Sequence, residues 1–415
     1  MITAIPYLYY FVNFEIMVEF GMILYNILTI IVAGSLGIWI YLFFDLKKSF
    51  ELSPRLLKPN MSAAKKNSLV SVIIPARNEE KLIKNCLSSL LNQYHPNYEI
   101  IVVNDNSSDG TLEIVQSFRN TGKIKVFDAG QKPEGWIGKN WACYIGYQNS
   151  RGNYLLFTDA DTVHSSHSIQ DSLHTLLEEK LDVLTAVPNL LYPTFIIKMV
   201  LPILSIFMFS RYSPLRVNDP KIKLGYLFGS FFIISKDVYK KVGTHESVKS
   251  EIVEDGALGK KIKECGYRLK MFRGEDLLSA YWARDFHTLW NSLKRLIIPI
   301  YFTNKKNSIL LTIGVFLLMV FPFVILIHSF INIVQENNAH NPFLIFLLVL
   351  VILDVAIIYF TNYYQLKKAK THNAIYSLGT PVGCFVLSLS FVWSVITSQK
   401  KGAIKWRDRV YHYGK

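Results

Sequence analysis

Four long apolar stretches decide where much of this chain can lie, because each must be kept away from water. The first runs from Met22 to Phe44, and the others run from Leu310 to Ile333, Phe343 to Phe360 and Ile375 to Ile396. A helix crosses a bilayer with about 20 apolar residues, so each stretch is near the length of a span. The sequence therefore predicts a protein anchored in a membrane through both ends of the chain.

The composition supports this placement. The chain has 415 residues, 51% of them hydrophobic, a mean hydropathy of +0.24 and a net charge of +14. Basic residues cluster beside the apolar stretches, as the positive-inside rule predicts, at Lys47, Lys48, Lys367, Lys368, Lys370, Lys400, Lys401 and Lys405. The charge therefore indicates a lipid bilayer as a partner, and we expect no nucleic acid. Four cysteines without metal-ligand spacing suit a domain in the reducing cytoplasm.

Two shorter apolar segments suit the membrane interface better than its interior. Ile5 to Phe20 is aromatic but carries Glu15 and Glu19. Phe195 to Phe209 is interrupted by Lys198. The sequence predicts two interfacial helices, the second of which would dock the domain on the bilayer.

The middle of the chain has the pattern of an α/β domain. Leu69 to Pro75 and Tyr98 to Val103 are apolar, β-branched runs of strand length, and helical periodicity lies between them. Strand, helix, strand predicts a right-handed parallel unit. Ile124 to Phe127 and Tyr154 to Thr158 are further predicted strands.

Polar residues follow these strands where the strands end. Asp159 and Asp161 follow the strand that begins at Tyr154, and Asn104 and Asp105 follow the strand that begins at Tyr98. Ligands of open α/β sheets bind at this edge, and paired carboxylates suit Mg²⁺ or Mn²⁺. The alternative is that the two acids cap the next helix.

Four motifs in this order resemble glycosyltransferase family 2 with its GT-A fold. They are Pro75-Ala-Arg-Asn-Glu-Glu80, Asn104-Asp-Asn-Ser-Ser-Asp-Gly-Thr111, Gly138-Lys-Asn140 and Thr158-Asp-Ala-Asp-Thr162. The resemblance implies a Rossmann-like nucleotide-sugar-binding domain at residues 68–300, on the cytoplasmic face of the cell membrane. An anchor at 1–48 would precede it, and a transmembrane region at 305–398 and a basic tail at 399–415 would follow.

The resemblance also implies roles for single residues. The donor would be bound by Pro75, Arg77, Glu79, Asp105, Lys139 and Asp159. Asp161, with Asp159, would hold the metal, Mg²⁺ or Mn²⁺. Position 104 is Asn where the family usually has an acid, and Asp109 is expected to cap a helix.

A later motif supplies the candidate catalytic group. Glu254-Asp255 resembles the family's Glu-Asp pair, in which Asp255 would be the general base. Gly229 lies in a stretch similar to the acceptor-side strand. The alternative is an acid pair that simply favours the first turn of a helix.

The carboxyl-terminal part departs from processive family members, because Gln-x-x-Arg-Trp is absent. Arg284, Trp290 and Arg295 occupy that region and are weaker candidates for the acceptor or diphosphate side. The ending that contains Trp406, Arg407 and Arg409 resembles that of ceramide glucosyltransferase and of carotenoid and hopanoid glycosyltransferases. In those proteins it returns to the active-site face.

Three full spans after a cytoplasmic domain would leave this basic tail outside the cell, against the charge rule. We therefore expect Ile375 to Ile396 to form a re-entrant hairpin broken at Gly379-Thr-Pro-Val-Gly383. Asp354 and His328 lie within apolar stretches, and Asp354 could be functional or could pair with a neighbouring helix.

The resemblance predicts an inverting, metal-dependent enzyme that moves one sugar from a nucleotide diphosphate donor, UDP-linked, to a membrane lipid. A polyprenyl-phosphate glycosyltransferase is the main alternative. A processive polysaccharide synthase and a non-catalytic membrane scaffold follow it.

Overall fold

The computed structural model describes residues 5–58, 68–335, 341–369, 373–400, 403–406 and 409–412. The first element is one helix, α1 (Ile5–Leu52), of 48 residues. The prediction of a separate interfacial helix from Ile5 to Phe20 was therefore wrong. Only Gly21 separates the two apolar segments, and a single glycine costs a helix about 1 kcal/mol, too little to end it.

An eight-stranded sheet forms the centre of the domain. Its strands are β1 (Val70–Ala76), β2 (Tyr98–Asn104), β3 (Ile124–Asp128), β4 (Tyr154–Phe157), β5 (Thr162–His164), β6 (Val183–Leu191), β7 (Phe232–Ser235) and β8 (Leu269–Tyr281). The strand order is β3-β2-β1-β4-β7-β6-β8-β5. The first four of these run parallel, and β7 runs antiparallel to both of its neighbours.

Helices cover the sheet, as the α/β pattern predicted. They are α2 (Ile83–Leu91), α3 (Thr111–Ser117), α4 (Gly138–Gln148), α5 (Ser168–Glu178), α7 (Pro214–Asn218), α8 (Lys236–Lys241) and α9 (Glu254–Glu264). A further helix, α6 (Phe195–Tyr212), packs instead on the apolar helices described next. Every residue of β1 and β2 is buried. Continuous apolar strands need cover on both faces, which explains why parallel strands and helices alternate here.

The remaining helices pack together as an apolar group beside the domain: α10 (Phe286–Thr303), α11 (Lys305–Met319), α12 (Phe321–Gln335), α13 (Pro342–Lys368) and α14 (Thr380–Lys400). A second apolar core joins this group to the domain. It includes Trp39 of α1, Ile203 of α6, Leu293 of α10, Ile358 of α13 and Leu387 of α14. The domain is therefore packed directly onto the apolar helices.

Four segments have the length and hydropathy of membrane spans: Gly21–Leu52, Phe195–Asn218, Pro342–Lys368 and Ala374–Ser398. Half of the apolar window of Phe195–Asn218 is buried within the protein. Lys305–Met319 and Phe321–Val334 pass the same test only as a pair, and they are bent by 44°. Pro322, which lacks an N–H, follows the bend.

The predicted break at Gly379 to Gly383 was wrong, because a 3₁₀ turn at Ala374–Gly379 leads directly into α14. Pro381 stands in the first turn of α14, where no intrahelical partner for its nitrogen is needed. The two glycines let α14 approach α6. A Cβ atom on Gly383 would lie 2.1 Å from the carbonyl oxygen of Met199.

This contact predicts different effects for two glycine substitutions. Gly383→Ala should lower the stability of the detergent-solubilised protein by about 1–3 kcal/mol, because the methyl group overlaps the α6 backbone. Gly37→Ala is the control, since nothing lies within 4 Å of a Cβ atom there. Thermal unfolding measures both, and equal midpoints would contradict the close approach of α6 and α14.

Candidate active site

A pocket of about 480 Å³ lies at the carboxyl ends of β1, β2 and β4. Its walls contain most of the residues that the sequence singled out: Pro75, Arg77, Glu79, Asp105, Lys139, Asp159, Asp161, Glu254, Asp255, Arg284 and Arg295. The parallel strands bring the first members of this set together, because their carboxyl ends share one edge. α9 and α10 add the later ones.

Lys139 joins two of the acids. Its Nζ atom lies 2.7 Å from Asp159 Oδ1 and 2.8 Å from Glu254 Oε1. Burial disfavours the charge, but the carboxylates of Asp159 and Glu254 raise the pKa of Lys139 well above its ordinary value. The lysine is therefore a permanent cation between the end of β4 and the start of α9.

Arg284 neutralises a second pair of acids. It donates a hydrogen bond of 2.9 Å from Nη2 to Asp161 Oδ2, and it also contacts the Glu79 carboxylate. The next residue, Asp285, is the N-cap of α10 and forms a capping box with Thr288. The helix start thus positions Arg284 in the pocket.

Asp105 is engaged from the carboxyl-terminal end of the chain. Arg409 donates to both of its carboxylate oxygens, at 2.6 and 2.9 Å. Arg77 donates to the backbone carbonyl oxygens of Asp105, at 2.7 Å, and of Asn106, at 3.0 Å.

Asp255 has the environment of a proton acceptor. It accepts hydrogen bonds from the N–H groups of Gly229, at 2.9 Å, and Gly256, at 2.7 Å. Burial, assisted by the like charge of Glu254, raises the pKa of Asp255 to about 6. Gly229 is needed beside it, because a Cβ atom there would lie only 3.0 Å from Asp255 Oδ2.

The carboxylate oxygens of Asp159 and Asp161 suit a hard divalent cation. Both side chains lie on the pocket wall, and one residue separates them in the sequence. Among the residues that the structure describes, no group of three His, Cys, Asp or Glu side chains could enclose a metal. Mg²⁺ is commonly bound through one or two carboxylates together with substrate phosphates, and two carboxylates match that pattern.

Some predicted residues do not line the pocket. Trp290 packs on Phe286, with ring centroids 5.8 Å apart, and is not among the lining residues described. Arg407 and the side chain of Trp406 lie outside the described residues.

Sequence reasoning missed several side chains in the pocket walls: Met208, Tyr226, Tyr281, His287 and Asn291. Met208 lies in the predicted helix Phe195 to Phe209, and Tyr226 lies in the stretch that contains Gly229, but neither was assigned to the site. Tyr226 stacks on Tyr212 at 4.2 Å, and burial, with the nearby charge of Asp255, raises the pKa of Tyr226 well above its ordinary value. No spacing in the sequence indicates Tyr281, His287 or Asn291 as site residues.

A second space, the inner cavity, extends from Asp255 toward the apolar helices. It has a volume of about 180 Å³ and reaches from Asp255 and Gly229 to Leu204 of α6 and Gln365 of α13. Its walls are mainly apolar, and among its described lining residues there is no lysine or arginine. The inner cavity therefore suits an uncharged or apolar molecule.

The family model named Glycosyl transferase family 2 matches residues 71–243. That range contains the four motifs noted in the sequence and ends before Glu254. Residues 71–243 are a glycosyltransferase family 2 domain. The resemblance seen in the sequence is thereby confirmed.

Two curated relatives carry the name 4,4'-diaponeurosporenoate glycosyltransferase. The Staphylococcus haemolyticus (strain JCSC1435) protein is 29% identical over 216 residues, which are 51% of this chain and 56% of the relative. The Staphylococcus aureus (strain bovine RF122 / ET3-1) protein is 29% identical over 259 residues, or 60% and 63%. The match thus spans less than two thirds of either relative.

A solved structure shares the fold. It is a mannosyltransferase from Pyrobaculum calidifontis in complex with GDP-Man and Mn²⁺, with a TM-score of 0.53 and 16% identity. The similarity covers 91% of this chain and 99% of that one. The mixed sheet and this likeness confirm the predicted GT-A class.

The pocket geometry predicts that metal binding needs the nucleotide. Titration calorimetry of the wild-type protein should give weak Mn²⁺ binding alone, because only two carboxylates are supplied and both are engaged by cations. Binding should tighten when a nucleoside diphosphate adds its phosphate oxygens. Asp161→Asn should abolish that gain, whereas equally tight binding without nucleotide would contradict the proposed ligand set.

Proposed function

We propose that this protein is an inverting glycosyltransferase that moves one sugar from a UDP-linked donor to the hydroxyl group of a membrane lipid. The observation that carries the proposal is Asp255. It is a half-buried carboxylate with a raised pKa, and it lines both the pocket of the candidate active site and the inner cavity. A group at that junction can reach both substrates.

The reaction needs one proton acceptor. The acceptor oxygen attacks the anomeric carbon, the bond from that carbon to the diphosphate breaks, and the diphosphate leaves with the electron pair. Asp255 takes the proton of the attacking hydroxyl. Attack opposite the leaving group inverts the configuration of the anomeric carbon.

The other charged residues would stabilise the departing diphosphate. Lys139 and Arg284 are cations beside Asp159 and Asp161, and each can turn a hydrogen bond toward a diphosphate oxygen. Asp159 and Asp161 would hold Mg²⁺ or Mn²⁺. When bound, such a cation supplies further positive charge to the departing diphosphate. The fold neighbour binds a nucleotide sugar and Mn²⁺, in line with this arrangement.

The inner cavity supports a lipid acceptor. Leu201, Leu204 and Met208 of α6 line it, and α6 belongs to the core shared with the apolar helices. A lipid in those helices has a short apolar route to Asp255. The curated relatives are named for a transfer to diaponeurosporenoate, a carotenoid, which supports an apolar chain in the acceptor; that name denotes a carboxylate, so the hydroxyl group is proposed here from Asp255 alone.

The cytoplasmic side is proposed from charge. Lys47 and Lys48 lie near the end of α1 that leads into the domain, and Lys367 and Lys368 end α13. α13 reaches the inner cavity near this end, at Gln365. Positive residues at the domain end of both helices favour the cytoplasmic face of the cell membrane.

A phosphate acceptor, as in polyprenyl-phosphate transfer, is the second candidate. An ionised phosphate needs no base and would meet Asp255 and Glu275 in a cavity without a described lysine or arginine in its walls. The geometry therefore favours a hydroxyl group. Polymer synthesis and a non-catalytic scaffold have no observation of this kind in their favour.

Asp255→Asn tests the proposal. The amide keeps the size of the side chain but cannot take the proton, so transfer of label from UDP-sugars to the organic-soluble lipid fraction should fall by roughly 10²–10⁴-fold. UDP-sugar affinity should hardly change. Asp161→Asn should instead weaken donor binding. Asp237→Asn, an exposed acid in the first turn of α8, is the matched control.

Near-normal turnover of Asp255→Asn with an ionised acceptor would contradict the assignment of Asp255 as the base and would favour a phosphate acceptor. Label found only in insoluble polymer would instead favour a synthase.

The pH profile gives a separate test. Because Asp255 must be ionised, activity should be present above pH 6 and should be lost as the pH falls through the raised pKa of about 6. Glu254→Gln removes a like charge, so the acidic limb should move to lower pH. Glu113→Gln, at an exposed position on α3, should leave the limb in place. An acidic limb that Glu254→Gln does not move would contradict the assignment.

A further inference from the structure

We propose that Arg409 is a specificity-determining residue that sets the donor site to uridine rather than guanosine nucleotides by holding both oxygens of Asp105. The inference rests on the proposed function, in which Asp105 faces the base of a nucleotide-sugar donor. It concerns a contact between residues 304 positions apart. The fold neighbour binds GDP-Man, so the base is an open question for this chain.

The contact is built by a carboxyl-terminal hairpin. Its strands, β9 (Ala403–Trp406) and β10 (Arg409–His412), pair antiparallel, and β9 lies against α10. Arg409 is the first residue of β10 and reaches the end of β2. Its two hydrogen bonds to Asp105 are side by side, and both side chains are largely buried, with 20% and 5% exposed. Such a bidentate pair is the geometry that a guanidinium favours.

Gly138 makes room for this pair. A Cβ atom on Gly138 would lie 2.0 Å from Arg409 Nη1 and 2.5 Å from Asp105 Oδ2. The guanidinium therefore rests against the backbone at the start of α4, where a side chain cannot fit. Gly138 was noticed in the sequence beside Lys139, and the structure supplies a reason for the glycine itself.

The two bases place different demands on Asp105. The Watson–Crick edge of guanine carries two adjacent donors, N1–H and the 2-amino group, which would bind a carboxylate side by side through both oxygens. Arg409 already uses Asp105 in that way. Guanine would have to displace it or leave a donor unpaired, and a buried unpaired polar group costs about 1–3 kcal/mol.

Uracil fits the occupied carboxylate. It has one N–H group between two carbonyl oxygens, so one free lone pair on Asp105 is enough for it. Arg409 donates to both oxygens of the same carboxylate. Uracil can therefore bind Asp105 without displacing the guanidinium, whereas guanine cannot pair both of its donors there.

The test is calorimetric binding of UDP and of GDP, with Mn²⁺ present, to the full-length protein in detergent. The wild type should prefer UDP by at least about tenfold, the value of one unpaired buried donor. Arg409→Gln should reduce the UDP-to-GDP preference about tenfold or more. Arg409→Lys, which cannot hold both oxygens, should be intermediate. Arg119→Gln, an exposed arginine after α3, is the matched control and should behave as the wild type.

The outcomes separate this inference from the proposed function. An unchanged preference in Arg409→Gln and Arg409→Lys overturns the role of Arg409 while leaving the transferase intact. Tighter binding of both nucleotides by Arg409→Gln also overturns it, because the arginine would then only block the site. If the wild type binds neither nucleotide, the assignment of the pocket as the donor site is wrong, and the proposed function fails together with this inference.

Discussion

The arrangement of the site depends on balancing carboxylates that are withdrawn from water. Glu79, Asp105, Asp161 and Glu254 are all mostly buried, and isolated buried charges are costly. Lys139, Arg284 and Arg409 supply the balancing cations. Each comes from a different element, α4, the start of α10 and the carboxyl-terminal hairpin. These ion pairs therefore fix α4, the start of α10 and the hairpin against the strand ends, which the sheet alone would not do.

The same cations explain how one pocket can serve a diphosphate. In the structure described, they rest on protein carboxylates, so their positive charge is already in position and costs little further reorganisation. A nucleotide diphosphate and its metal would bring negative and positive charge together, and the protein pairs could rearrange without leaving a charge unmatched. Asp255 differs from these acids, because backbone N–H groups donate hydrogen bonds to its carboxylate.

The apolar helices form one wall of the inner cavity. The second apolar core runs from α1 through α6 and α10 to α14, so the inner cavity has the domain on one side and apolar helices on the other. Gly383 makes the contact of α14 with α6 possible. This packing explains why a stretch that resembled a broken hairpin is a regular helix: its glycines serve a close approach and its proline stands where a helix begins.

The sequence by itself determined the α/β class, the four motifs and the acids that meet at one edge of the sheet. It could do so because apolar strands, their periodic helices and the polar residues after them are local patterns. Only the tertiary structure decided that Arg284 and Arg409 bind these acids and that α14 packs closely on α6. Those outcomes depend on contacts between distant segments, and no local spacing encodes them.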